Sequence, residues 1–276
     1  MDLGLQGKVA FVTGGSMGIG REVARLLAQE GCRVAITARD AERLEGVARE
    51  LSDETGGEIV GLAGDMSVMD DVNRTVEEAI ERLGPIDVLV TCAGSSPGGL
   101  LEELSEDDWL QSLNLKFMGY VRTCRAVIPK MRDAGGGSVV LVVGNDGLKP
   151  SYWEMTAGAA NAADLNFASS LAEQYAKDGI RVNTVNPGPV NTTRWDTLEK
   201  AFARDLGVEQ QVAHELAESS IPLGRICEPE EVASLVAYLA SPQASFINGA
   251  HIPIDGGQRK AIMDAGAQAA QAREMA

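Results

Sequence analysis

The amino-acid sequence predicts an α/β fold: a doubly wound parallel sheet of about seven strands with helices on both faces. Three observations carry that prediction. Short apolar runs rich in β-branched residues recur along the chain, each followed by a stretch with helical spacing. The runs are almost continuously apolar instead of alternating, as strands covered on both faces are. The segments between them are long enough for the crossovers that parallel pairing requires.

Residues 9–13 form the first strand. A glycine turn follows, and Ile19, Val23, Leu26 and Leu27 mark a helix that ends at Gly31. The cycle repeats with a strand at 33–37 and a helix at 41–51, then a strand at 59–63 and a helix at 68–83. A strand at 86–90 leads into one long helix from about 106 to 132, followed by a strand at 138–143 and a helix at 156–177. A strand at 180–185, a helical insertion at about 193–218, a helix at 228–239 and a final strand at 250–254 complete the set. No linker or composition shift divides the chain, so residues 1–258 are expected to form one domain. The alanine-rich segment 259–276 reads as a helix-prone C-terminal extension.

At 276 residues and 45% hydrophobic, the chain has material for a large core. Its net charge of −16 repels phosphate backbones and argues against nucleic-acid or anionic-membrane partners. No stretch approaches the ~20 apolar residues of a membrane span, and residues 1–11 carry no basic-then-apolar leader, so a cytoplasmic protein is expected. Cys32, Cys92, Cys124 and Cys227 are scattered without a CxxC pair, which predicts neither a disulfide frame nor a metal site.

The turn Thr13-Gly-Gly-Ser-Met-Gly-Ile-Gly20 lies where the first strand gives way to the first helix. Glycines there permit a tight turn and close phosphate approach, and the helix N-terminus offers free N–H groups to an anion. Further landmarks follow in order: Asp65 after the third strand, Cys92-Ala93-Gly94 after the fourth, Asn114 in the long helix, Pro187-Gly188 through Thr192 after the sixth, and Asp255-Gly-Gly257 at the end. In this order and over nearly its whole length the chain resembles the short-chain dehydrogenase/reductase family. The resemblance implies a Rossmann-type fold that binds a nicotinamide dinucleotide, a small-molecule substrate and a homotetrameric assembly. It places Gly14, Ser16, Met17, Gly18, Ile19 and Gly20 at the phosphates, and Asp65 and Met66 at the adenine. Ala93, Gly94, Pro187 and Gly188 fall along the cofactor, with Thr192 at the nicotinamide carboxamide.

Cofactor choice is read at the end of the second strand. An acidic residue there would accept hydrogen bonds from an unmodified ribose. The chain has Ala38 followed by Arg39, whose guanidinium suits a 2′-phosphate, so NADP(H) is favoured over NAD(H).

The catalytic positions depart from the family pattern. The family uses an Asn, Ser, Tyr and Lys, and Asn114 matches the first. Counting from the strand at 138–143 puts the serine position at Gly144 and the tyrosine position thirteen residues later at Ala157. Counting back from Gly179-Ile-Arg-Val-Asn183 gives Ala157 again and places lysine at Asn161, which retains an amide able to reach the ribose. The resemblance implies that Asn145, Asp146, Tyr152 and Glu154 border the substrate cleft. Asp146, Tyr152 or Glu154 is then a candidate replacement proton donor, because a desolvated carboxyl has a raised pKa. Trp195 and His214 fall in or near the covering insertion. Three functions remain open: an oxidoreductase acting on a small carbonyl or alcohol by a non-standard proton route, a non-redox lyase or isomerase with a carboxylate base, and a catalytically silent cofactor-binding subunit.

Overall fold

The computed structural model describes residues 2–258; the expected C-terminal extension at 259–276 lies outside them. Seven parallel strands form one sheet in the order β3-β2-β1-β4-β5-β6-β7. They are β1 (Val9–Thr13), β2 (Arg33–Ala38), β3 (Ile59–Ala63), β4 (Val88–Thr91), β5 (Gly137–Val142), β6 (Ile180–Pro187) and β7 (His251–Ile254). Strand order reverses between β1 and β4, whose ends pair Thr13 with Thr91. Adjacent loops therefore diverge there and leave a crevice at the carboxyl edge of the sheet.

Helices α1 (Gly18–Gln29), α2 (Ala41–Thr55) and α9 (Pro229–Ala240) cover one face, where Val23, Leu27, Leu44, Leu51 and Val236 bury against Val12, Ile36, Val90 and Val140. On the other face α3 (Met69–Leu83), α5 (Met118–Asp133) and α6 (Met155–Tyr175) pack Val76, Val127, Leu165 and Leu171 over Phe11, Leu89, Val139 and Leu141. Each buried aliphatic side chain contributes about 1.5–3 kcal/mol, which makes these two layers the main source of stability. Helix ends obey local chemistry. The Asp40 carboxylate accepts the Arg43 N–H at 3.0 Å to start α2, and Pro229 with a reciprocal Glu228–Glu231 cap starts α9.

One element differs from expectation. The single long helix is divided into α4 (Glu106–Ser112), a π-helical turn (Leu113–Phe117) and α5. No glycine or proline marks residues 113–117, so the break had no local signature. The expected helical insertion is made of two helices, α7 (Thr193–Leu206) and α8 (Gln210–Ser219), separated where Gly207 adopts φ +65° as a C-cap. These two helices carry a third apolar cluster: Trp195, Phe202, Ala203, Ala213 and Ala217, closed by Trp153.

Candidate active site

The first strand-to-helix turn is built by backbone. A Cβ on Gly20 would stand 2.3 Å from the Gly14 carbonyl oxygen, so the turn closes only with glycine there. Gly14 and Gly18 take φ +71° and +53°, in the left-handed region. Gly14 and Gly15 donate to the Thr37 carbonyl, and the Thr13 hydroxyl accepts the N–H groups of Cys92 and Ala93 at 3.1 and 3.2 Å. These bonds tie the turn to the ends of β2 and β4. Met17 begins α1 without a side-chain cap, so the first N–H groups of the helix remain available to an outside acceptor. Ser16 is half-buried and Met17 exposed beside them.

The rest of the expected cofactor rim is arranged around that turn. A Cβ on Gly18 would lie 3.3 Å from the Thr192 methyl, so Thr192 stands directly over the turn. Thr192 also caps α7 by accepting the Trp195 N–H at 3.3 Å. Arg39 is exposed immediately past β2. The Asp65 carboxylate accepts the Ser67 N–H and hydroxyl at 2.8 and 2.7 Å, while Met66 is buried against Thr123 of α5. Pro187 is buried, and Gly188 donates to the Ile254 carbonyl at 3.1 Å. Cys92, which stands where the family has asparagine, has its thiol pushed up to about 12 by burial and is therefore a neutral packing group. The uncapped helix start and the cradle that a Cβ would fill fit a pyrophosphate.

The opposite wall is built by side chains. Gly144 leaves no room for the expected serine, since a Cβ there would lie 2.4 Å from Asp146 Oδ1 and 2.6 Å from Asn161 Nδ2. Those two groups hydrogen-bond each other, with the Asn161 amide donating to the Asp146 carboxylate. Asn161 is fully buried, so the donor expected to reach a ribose is already committed. Asn145 donates to Gln258 Oε1 at 2.8 Å, and Lys149 pairs with Asp255; both draw this loop to the C-terminal edge of the sheet.

Glu154 starts α6 and is fixed by its neighbour. The Trp153 ring lies 4.4 Å from Phe202 of α7, its Nε1 donates to Asp205 at 2.8 Å, and its carbonyl accepts the Gly99 N–H at 2.9 Å. Burial of the Glu154 carboxyl, reinforced by the negative charge of Asp146, pushes its pKa up to about 7; Lys116 and Arg194 pull it the other way. Asp146 and Glu154 are thus brought together. Tyr152 is 42% exposed at the rim. Asn114 stands on the outer side of the π-helical turn, where its Oδ1 accepts from Arg122 at 2.6 Å, and is not gathered with the others. His214 bonds Glu199 at 2.6 Å, and Trp195 is buried in the α7–α8 cluster; both hold the insertion together.

Three residues of this wall carried little or no signal in the sequence. Lys116 lays its stem against Gly94, where an added Cβ would lie 3.1 Å from Lys116 Cγ. Asp164, one turn beyond Asn161 on α6, is fully buried, and neither carboxylate oxygen has a hydrogen-bond partner among the described residues. Burial pushes its pKa up to about 8, against the pull of Lys116. The signal for Asp164 was an acidic residue between Ala160 and Leu165, on the apolar face of its helix. Trp153, the third, carried no periodic signal because it lies in a loop. Among the described residues there is no His/Cys/Asp/Glu cluster able to hold a metal ion, and no helix is long and apolar enough to cross a membrane.

Residues 14–259 match a family profile described as Enoyl-(Acyl carrier protein) reductase. The chain is 34% identical over 253 residues to a 3-oxoacyl-(acyl-carrier-protein) reductase of Chlamydia muridarum, covering 92% of this chain and 98% of the relative. Among solved structures, the L-sorbose reductase of Gluconobacter frateurii, complexed with NADPH and L-sorbose, superposes with a TM-score of 0.88 at 32% identity, covering 95% of this chain and 100% of that one. An actinorhodin polyketide ketoreductase variant with NADPH gives a TM-score of 0.89 at 32% identity, covering 92% and 98% of the two chains.

Proposed function

Because the chain belongs to the short-chain dehydrogenase/reductase family, we propose that it is an NADP(H)-dependent oxidoreductase acting on a small carbonyl or alcohol, with Glu154 in the proton-transfer role. The observation that carries this reading is a half-buried carboxyl at the start of α6, on the side-chain wall with Asp146, where the positions counted for serine, tyrosine and lysine hold Gly144, Ala157 and Asn161; desolvation and Asp146 push its pKa up to about 7. The uncapped start of α1 would hold the pyrophosphate, Thr192 the nicotinamide carboxamide, and the exposed Arg39 the 2′-phosphate that distinguishes NADP(H). The NADPH complexes of the sorbose and polyketide reductases support the same cofactor choice. Assembly as a homotetramer is part of the same family-based reading.

When bound, the dinucleotide supplies or accepts the hydride. Glu154 in its protonated form gives its proton to the oxygen of the reduced carbonyl and is recharged from solvent; in the reverse direction its carboxylate takes the alcohol proton. A pKa near the working pH suits both tasks. Asp146 raises the proton affinity of Glu154, and the Asn161 amide holds Asp146 in place. Reduction requires the protonated acid, so its rate is expected to fall as pH rises through about 7, while alcohol oxidation rises through the same range.

The test is NADPH oxidation followed by absorbance against a panel of small ketones and aldehydes. Glu154→Gln is expected to lower turnover by ~10²–10⁴-fold with NADPH affinity retained. Tight NADPH binding with no turnover on any carbonyl would sink the redox reading in favour of a non-redox or silent protein. Undiminished turnover in the variant would remove Glu154 from its role.

A further inference from the structure

The wall opposite the glycine turn holds a half-buried carboxyl, Glu154, and a fully buried one, Asp164, and a single lysine acts on both. Glu154 is faced by Asp146 from the turn after β5, by Arg194 from α7 and by Lys116 from the π-helical turn. Asp164 is faced by Lys116 and lies close enough to α5 to raise the pKa of Tyr120 and Cys124. Its two carboxylate oxygens lack hydrogen-bond partners among the described residues, and a buried carboxyl in that state is costly unless a positive group is near.

The backbone explains how a lysine comes to be there. A π-helical turn inserts one extra residue into the helical repeat, which rotates the helix before the turn by about 100° relative to the helix after it. The turn at Leu113–Phe117 leaves Asn114 on the outside, bonded to Arg122, lays Lys116 across Gly94, and packs on α6 through Phe117, whose ring meets Phe167 edge-on at 6.2 Å. A side chain at Gly94 would crowd the Lys116 stem, so the loop after β4 is cut to its shape. Across from it, Asn161 stands at the position where the family has a lysine, and its amide is engaged by Asp146.

We infer that Lys116 is the positioning cation of this site, delivered by the π-helical turn in place of the lysine absent at 161, with Asp164 as its buried partner carboxyl. The inference rests on Glu154 being the proton-transfer group. Lys116 favours the ionised form of each carboxyl, so its removal lets both hold their protons to higher pH. It thereby keeps the Glu154 proton labile near neutrality, a role that requires charge at position 116 and not merely bulk.

Carboxyl carbon-13 NMR of the cofactor-free protein, titrated in wild type, Lys116→Met and Lys116→Arg, tests this without turnover. Lys116→Met is expected to move the Glu154 midpoint up by about one pH unit, and Lys116→Arg to return it toward the wild-type value. The alkaline limb of the reductase pH profile should move in the same direction. An unmoved Glu154 midpoint in a Lys116→Met protein that melts like wild type would overturn the inference. If that variant does not fold, Lys116→Gln takes its place with the same two outcomes. Intact turnover in Glu154→Gln would defeat the proton-donor reading but leave the NMR midpoint free to judge Lys116, so the two failures are distinguishable.

Discussion

The two walls of the crevice are made from different materials. On the β1–α1 side the groups offered to a ligand are main-chain N–H donors, set by glycines at 14, 18 and 20 and tied to β2 and β4 by hydrogen bonds to main-chain groups. On the β5–α6 side the groups are Asp146, Glu154, Asn161, Asp164 and Lys116, drawn from a loop, two helix segments and a helix start. A backbone site depends on where Cβ atoms are absent, so few sequences satisfy it. A side-chain site depends on which polar groups meet in a desolvated volume, and the same volume can be refilled. Here Asp146 and Asn161 occupy the space a serine at 144 would need. The first wall offers main-chain donors; the second offers carboxyl and amide side chains that only the fold brings together.

The sharpest test of the second wall is Asp164→Asn. The carboxyl has its pKa raised from 3.8 to about 8, so the folded state keeps a proton that the unfolded chain releases. Its favourable contribution is whole below about pH 4 and is lost as pH rises toward about 8, at up to about 1.4 kcal/mol per pH unit. Stability from urea unfolding should therefore fall across that window in wild type by several kcal/mol more than in Asp164→Asn. Parallel pH profiles would mean that Asp164 is not an isolated buried acid.

On the first wall, Gly20→Ala puts a methyl group 2.3 Å from the Gly14 carbonyl oxygen. A rearranged turn is expected to cost about 1–3 kcal/mol of folding stability. NADPH affinity, measured by fluorescence titration, should drop with it, while the Glu154 titration stays in place. Movement of both would mean that the walls are not independent.

The smallest expected effect is at Arg39, exposed at the mouth of the first wall. Arg39→Ala should weaken NADPH binding by about tenfold, the low end for a charge-assisted contact screened by solvent, and leave NADH binding unchanged. Equal losses for both nucleotides would deny Arg39 any part in cofactor choice.

The same distinction governs how far each wall is legible in the sequence. Gly14, Gly18 and Gly20 identify the turn because the demand they meet is local, and the strands emerge as apolar runs because both faces of the sheet are covered. That Asp146 and Glu154 border one cleft is expected from their place after β5; that they act on each other is not. Asn114 is matched by position to the family's asparagine, and the π-helical turn at 113–117 leaves it exposed and bonded to Arg122. Residues such as Leu113 and Phe117 accept either helical geometry, so the choice rests on packing against α6, beyond the reach of local propensity.

The chain's residues by themselves determined the succession of seven strands and their helices, the glycine turn, and that Gly144, Ala157 and Asn161 stand at the positions counted for serine, tyrosine and lysine, because each is a matter of spacing along the backbone. Only the tertiary structure decided which groups occupy the vacated wall. Desolvation of Glu154, burial of Asp164, the Asp146–Asn161 bond and the approach of Lys116 to Gly94 join residues from separate elements, and desolvation and charge act through space.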